Sequence, residues 1–292
     1  MTTMNNNLYQ DLKFKIFSSG NPAFFYIGVN TVIFVFFALV NVVFFLSGNG
    51  NFNLDLFVRE YLGFPASFAA LPFRFYTIIT YQFFHDGFLH LLFNMLWLYW
   101  MGQIFLDFLK PRQFHFVYLG GGILGALIFT GAFHIFPVFE GSIVAATVIG
   151  ASASVMAIVI ATATLVPDFS IRLFLIGDLK LKYLAIAYII IDLIGTASAN
   201  AGGSFTHLGG ALFGFLYIKL LKGGNDWSEL FKRKPKMKVV KNETYRSAVV
   251  PKQPVVVNQD EIDSILDKIS KSGYDKLSRD EKETLFKASK HS

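Results

Sequence analysis

Four polar side chains sit inside apolar stretches, where they are costly to keep. They are Ser152 in "TVIGASASVMAIVIATATLVP", His207 in "FTHLGGALFGFLY", and His90 and Asn94 in "HLLFNMLWLYW". A serine hydroxyl is a poor nucleophile until a base takes its proton, and histidine is the usual base. His90 and Asn94, four residues apart, share one helix face and can turn N–H groups toward the oxyanion that forms on an attacked carbonyl. The backbone N–H of Ser152 adds a third donor. The chemistry within reach is acyl transfer through a serine-bound intermediate.

Competing chemistries fare worse. There are no cysteines, which excludes disulfides, thiolate catalysis and cysteine-ligated metals. His85 and His90 in "HDGFLH" are five apart, which does not stack them on one helix face, and no HExxH is present. No metal and no cofactor are expected. An aspartyl site would need two acidic residues in facing spans, and Asp107 ends its span on the side opposite Asp192. The glycines "GGGILG" follow no strand, so they read as packing positions and not as a phosphate loop.

The elements that must position these groups are membrane spans. The chain of 292 residues is 53% hydrophobic and only 16% charged, and its apolar runs end near residue 223. This predicts an all-α membrane protein with a small soluble tail. A helix needs roughly 20 apolar residues to cross a bilayer core. Six stretches approach that length, about 23–46, 89–109, 114–136, 147–166, 181–200 and 205–222. The first lacks a small-residue cleavage site, which argues against a removable signal peptide.

Lys13 and Lys15 precede the first span, Lys110 and Arg112 follow the second, Arg172, Lys180 and Lys182 follow the fourth, and Lys219 and Lys222 close the sixth. "HIFPVFEGS" and "ANAGGS", after the third and fifth, carry no Lys or Arg. The positive-inside rule puts both termini in the cytoplasm of a multi-pass protein, and the net charge of +6 reads as topology, not as a nucleic-acid surface. The long Phe-rich connection at about 47–88, broken by Pro65 and Pro72, fits an interfacial structure half-sunk in the outer leaflet.

Counting at 1.5 Å per residue from the cytoplasmic ends places Ser152 at roughly 22 Å, His207 at roughly 18 Å, Asn94 at roughly 24 Å and His90 at roughly 30 Å. Polar groups from alternate spans therefore reach a common depth, which is the mark of an intramembrane site. Ala153, Ala157 and Ala161 on the fourth span, and Gly210 and Gly214 on the sixth, offer small faces for close approach. Asp192 is the candidate for an acid that orients the histidine, but it counts to roughly 15 Å, about 7 Å below the serine, and a structural hydrogen-bonded role within the bundle is preferred.

These residues resemble the rhomboid intramembrane serine proteases. "HDGFLHLLFN" matches the family's second-span pattern through His85, His90 and Asn94, "GASAS" its GxSx motif through Gly150 and Ser152, and "THLGG" with the following glycine its sixth-span motif through His207, Gly210 and Gly214. "FRFYTIITYQFFH" is similar to the first-loop Trp-Arg segment, with Phe73 for the Trp and Arg74 retained. The resemblance covers about 22–222. It implies a six-helix bundle with an interfacial first loop, and a Ser152–His207 dyad without an acidic third member. His90, Asn94 and the Ser152 amide would serve the oxyanion. It further implies cleavage of membrane-anchored substrates near the outer face of a membrane, expected to be a bacterial inner (plasma) membrane.

Ala153, Thr206 and Met156 stand where glycine, alanine and an aromatic are usual, and bear on rate and specificity. His85 either orients first-loop donors or sits in the wet interface, the second being preferred. The alternative reading, a rhomboid-like protein that binds transmembrane clients without cutting them, is disfavoured because both nucleophile and base are present. A solute channel would want an internal repeat, and none is visible.

Residues 1–21 form a cytoplasmic segment, 22–222 the membrane core, 223–257 a basic juxtamembrane linker, and 258–292 a helical hairpin. "KRKPKMKVVK" either meets anionic lipid or is a solvated linker. In the hairpin, Asn258 with Glu261 and Ser278 with Glu281 have capping-box spacing, and Gly273 suits a helix end. Ile262, Ile265, Leu266 and Ile269 make a stripe for Leu277, Leu285 and Phe286 to cover. It is too small for a large core, so docking on a protein partner or on its own copy is expected.

Overall fold

The structure, a computed structural model, describes residues 8–48, 53–173, 177–231 and 258–289. The chain divides into two compact units, Met1–Arg233 and Lys234–Ser292.

The first unit opens with α1 (Leu8–Lys13), which runs into one π-helical turn at Phe14–Ser18. Helix α2 (Pro22–Leu46) starts at Asn21, whose Oδ1 accepts from the N–H groups of Ala23 and Phe24, with proline at the first helical position. The connection that follows is built from short pieces: α3 (Leu54–Tyr61), strand β1 (Phe64–Pro65) and the single turn α4 (Thr77–Thr80). The long helices α5 (Phe88–Phe108) and α6 (Pro111–Ile135) come next. Strand β2 (Thr147–Val148) pairs antiparallel with β1. Helix α7 (Ser152–Leu165) is followed by the β3 (Ser170–Leu173) and β4 (Gly177–Lys180) ribbon, α8 (Leu181–Gly195) and α9 (Ala201–Lys222).

Among the described residues, α2, α5, α6 and α9 are long and apolar enough to cross a membrane. The fourth and fifth expected spans differ. Residues 147 and 148 pair as β2 with the first loop, so α7 has only fourteen residues, about 21 Å. Helix α8 stops at Gly195, where the hydroxyls of Thr196 and Ser198 bond back to Leu193 O and Gly195 O and take up orphan carbonyls. The sixth begins four residues earlier than expected, at Ala201.

Helix α7 is apolar all round, and every residue from Ala153 to Ala163 is buried. Small residues make that possible. A Cβ at Gly121 of α6 would stand 2.2 Å from Ala157 Cβ, and Cβ atoms at Gly210 and Gly214 of α9 would stand 2.1 and 2.2 Å from the carbonyl oxygens of Ala153 and Ala157. Bare backbone lets α9 and α6 press on α7 from two sides, the packing that small residues give in lipid.

The first loop caps one end of this bundle. Phe64, Ala66 and Tyr81 form a buried cluster with Phe129, Phe133 and Val148. Tyr81 Oη donates to Gly122 O at 2.7 Å, and Gln82 fills the space a Cβ at Gly122 would need. The opposite end carries the basic connections: Lys222 donates to the last carbonyls of α7, and Arg112 pairs with Asp226 and Glu229.

In the second unit α10 (Gln259–Ser272) and α11 (Arg279–Ser289) flank Gly273, which has φ +81°. Ser278 and Glu281 exchange both capping-box bonds, and Glu281 also pairs with Lys268. Asn258 caps α10 through Asp260 N–H instead of by a reciprocal pair with Glu261. Ile265 and Leu277 are buried, whereas Leu266 and Phe286 face out, so the stripe closes over its centre only. The basic run and the proline linker lie outside the described residues.

Candidate active site

Ser152 is the first residue of α7, and this position answers why it is there. A hydroxyl deeper in a helix can bond back to the preceding turn, as those of Thr162 and Thr164 do to Ile158 O and Ile160 O at 2.7 Å each. Ser152 has no preceding turn. Among the described residues neither its Oγ nor its N–H has a hydrogen-bond partner. The turn that delivers it is held from outside: Gly150 N–H donates to Tyr81 O at 2.9 Å, and Ala151 N–H to His85 Nε2 at 3.3 Å.

Gly150 has φ +125°, a conformation side chains avoid, and the space above it is occupied. A Cβ there would lie 3.0 Å from His90 Nε2 and 3.6 Å from Ser152 Oγ, so the imidazole of α5 and the hydroxyl of α7 flank the same point. His90 Nδ1 accepts from Asp86 N–H at 3.4 Å, which leaves Nε2 as the N–H donor. Asn94 spends one Nδ2 hydrogen on His90 O at 2.9 Å and keeps the other.

A cavity of about 1640 Å³ joins these groups. Ser152, His207, His90, Asn94, Met156 and Arg74 all line it. Phe93 and Trp97 of α5 and Tyr188 and Ile191 of α8 also line it. The Trp97 and Tyr188 rings meet edge-on at 5.2 Å between centroids. Arg59 and Asp86 form an ion pair at the rim.

His207 sits on α9 one turn above Gly210 and Ala211, and its Nδ1 is 2.8 Å from Asp192 Oδ1 of α8. The depth count sets Asp192 at roughly 15 Å and His207 at roughly 18 Å, within one turn of each other, although it sets Asp192 well below Ser152. Asp192 lies eight residues before Asn200 and His207 seven after it, so counting from the shared connection puts them level. That signal was present in the sequence; comparing the depth of Asp192 with the serine, and not with the histidine, passed over it.

The remaining candidates are also placed. Gly210 and Gly214 hold α9 against α7 and do not touch the cavity. The methyl of Ala153 is buried toward Gly125 of α6, away from the cavity, and Thr206 Oγ1 bonds to Gly202 O within its own helix. His85 is half-buried, and its Nε2 accepts from Ala151 N–H just before Ser152. Burial first, and the neighbouring His90 ring second, push its pKa down to about 3. Two residues with no sequence signal complete the support, Tyr81 and Gln82, the latter accepting from Ser154 Oγ at 2.7 Å.

The family model for the rhomboid domain matches residues 72–223, just over half the chain. The chain belongs to the rhomboid family. It is an integral membrane protein of an intramembrane-protease family, whose members act on membrane protein substrates within the bilayer. A second model, for a family of unknown function (DUF6576), matches residues 256–291. No curated protein matches the chain in sequence. The rhomboid match spans α4 to α9 and includes the cavity residues His90, Asn94, Ser152 and His207.

Proposed function

We propose that this rhomboid protein is an active intramembrane serine endopeptidase that cuts membrane-anchored proteins near the outer face of the membrane. The observation that carries the reading is the shared cavity, where an unbonded hydroxyl at the start of α7 and an imidazole of α9 lie beside spare N–H donors. Ser152 Oγ attacks the scissile carbonyl as its proton passes to His207 Nε2. The oxyanion is held by Ser152 N–H, His90 Nε2–H and Asn94 Nδ2–H. His207 then hands the proton to the leaving amine as the C–N bond breaks, and water hydrolyses the acyl-enzyme by the reverse sequence.

The six helices α2 and α5 to α9 all cross the membrane in this reading. Helix α7 is short for a core of roughly 30 Å, which leaves Ser152 below the outer surface, where the cavity brings water. Its neighbours shield it from lipid. Both termini are cytoplasmic, in a bacterial inner membrane, with residues 22–222 as the membrane core and 223–257 as a basic linker. The hairpin at 258–292, with its two-residue core, docks on a protein partner or on a second copy.

The test is cleavage of a reporter transmembrane substrate. Ser152→Ala and His207→Ala are each expected to abolish it while the protein still inserts. Undiminished cleavage by either variant defeats the assignment. Failure of the folded wild type to react with a fluorophosphonate probe would instead favour a protein that binds transmembrane clients without cutting them.

A further inference from the structure

Asp192 is buried within α8, and an acidic group there is expensive unless something compensates it. Its one side-chain hydrogen bond among the described residues is to His207 Nδ1, at 2.8 Å, with the two side chains 10% and 24% exposed. The contact is not a chance meeting of long side chains. Gly195 of α8 lacks a Cβ where Ser204 of α9 arrives, since a methyl there would stand 2.3 Å from Ser204 Oγ. Three residues farther from the connection on each helix, the same antiparallel register brings Asp192 opposite His207. The backbone is anchored as well: Thr196 N–H donates to Asp192 O at 3.0 Å.

We infer that Asp192 is a positioning residue for the catalytic histidine, so that this chain works with a serine, a histidine and an acid. The inference rests on the proteolytic reading above. A carboxylate accepts, so Nδ1 carries the ring hydrogen and the lone pair of Nε2 faces the cavity, the tautomer that can take the proton of Ser152. When that proton arrives, the ring becomes cationic beside the carboxylate. The pair is then worth most in the state that resembles the tetrahedral intermediate, which accelerates the reaction instead of tightening substrate binding. In the ground state the carboxylate holds the ring against rotation. An amide at this position can present either its oxygen or its NH2 to Nδ1, and the second choice fixes the wrong tautomer.

The experiment uses the full-length protein in lipid vesicles with a transmembrane reporter. Asp192→Asn is expected to lower kcat by about 10²- to 10⁴-fold with KM unchanged. Asp192→Glu, which keeps a carboxylate, is expected to retain more activity than Asp192→Asn. In a His207→Ala background, adding Asp192→Asn is expected to reduce the residual fluorophosphonate labelling no further, because the acid acts only through the ring. Should the amide variant fail to insert, Asp192→Ala takes its place with the same expected outcome. Full kcat in Asp192→Asn, alongside inactive Ser152→Ala and His207→Ala, overturns the role of Asp192 and leaves the site reading standing. So does an Asp192→Asn effect carried in KM or in melting temperature, or one that persists without His207. Activity surviving in Ser152→Ala removes the proteolytic reading and this inference together.

Discussion

The two ends of the bundle treat their polar groups in opposite ways. At the end with the basic connections, Asp226 is saturated. Its Oδ1 accepts from Tyr217 Oη, Ser228 N–H and Ser228 Oγ, and its Oδ2 from Arg112 and Gln113. Arg112 spends further donors on Ser228 and Glu229. At the cavity end, Ser152 bonds to nothing among the described residues, and Asn94 and His90 keep N–H donors in reserve. A satisfied network fixes structure; a constellation with capacity left over can bind a charge that appears during a reaction. The difference separates a saturated network from a cluster with hydrogen-bonding capacity left over.

The strongest way to break that contrast is at the spare donors. Asn94→Ala and His90→Ala are each expected to lower kcat by about 10²- to 10³-fold while the melting temperature stays close to wild type. A large loss of stability with little loss of rate would place them with the structural network. Next comes Gly210→Val, where the new side chain meets Ala153 O and drives α9 from α7. Separating base from nucleophile by an ångström is worth about 10²-fold in rate, and the overpacking costs about 1–3 kcal/mol. Wild-type turnover in that variant would mean that the glycine contact does not set the site.

Arg112→Ala sharpens the comparison from the other end. It is expected to destabilise by about 1–3 kcal/mol, through the acceptors it strands, and to leave turnover per folded molecule unchanged. Chemical denaturation and reporter cleavage on the same preparation separate the two effects. The smallest effect expected is at His85. Burial holds its imidazole pKa down to about 3 in the folded protein, while the unfolded chain binds a proton near the ordinary histidine value of 6.5. Between those values the unfolded state holds more protons, so stability falls as pH drops from 6.5 toward 3 and is fully present above 6.5. His85→Gln keeps an acceptor for Ala151 N–H without titrating, and its melting temperature is expected to vary less with pH across that window.

Much of this site was legible because lipid makes polar residues conspicuous. Ser152, His207, His90 and Asn94 stand out from apolar surroundings, and the glycine and alanine spacings mark which helices approach closely. The supporting parts were hidden for a different reason. Tyr81 and Gln82 reach α6 and α7 from a loop forty or more residues away in sequence, and no local pattern encodes such a partner. His85 could be read either as orienting first-loop donors or as an interface residue, because its polar neighbours Asp86 and Gly87 mark a turn and nothing local shows that its Nε2 accepts from Ala151 N–H.

The order of helices, their polar cargo and the small faces that let them touch were determined by the sequence itself, since each follows from one residue's neighbours and the cost of polarity in lipid. Which polar groups meet was decided only in three dimensions. Ser152 stands at the first position of α7 because Thr147 and Val148 pair with the first loop, which delays the start of the helix. Asp192 reaches His207 because α8 ends early and Gly195 sets the register of the pair. Both depend on where a helix stops, and that is fixed by contacts distant along the chain.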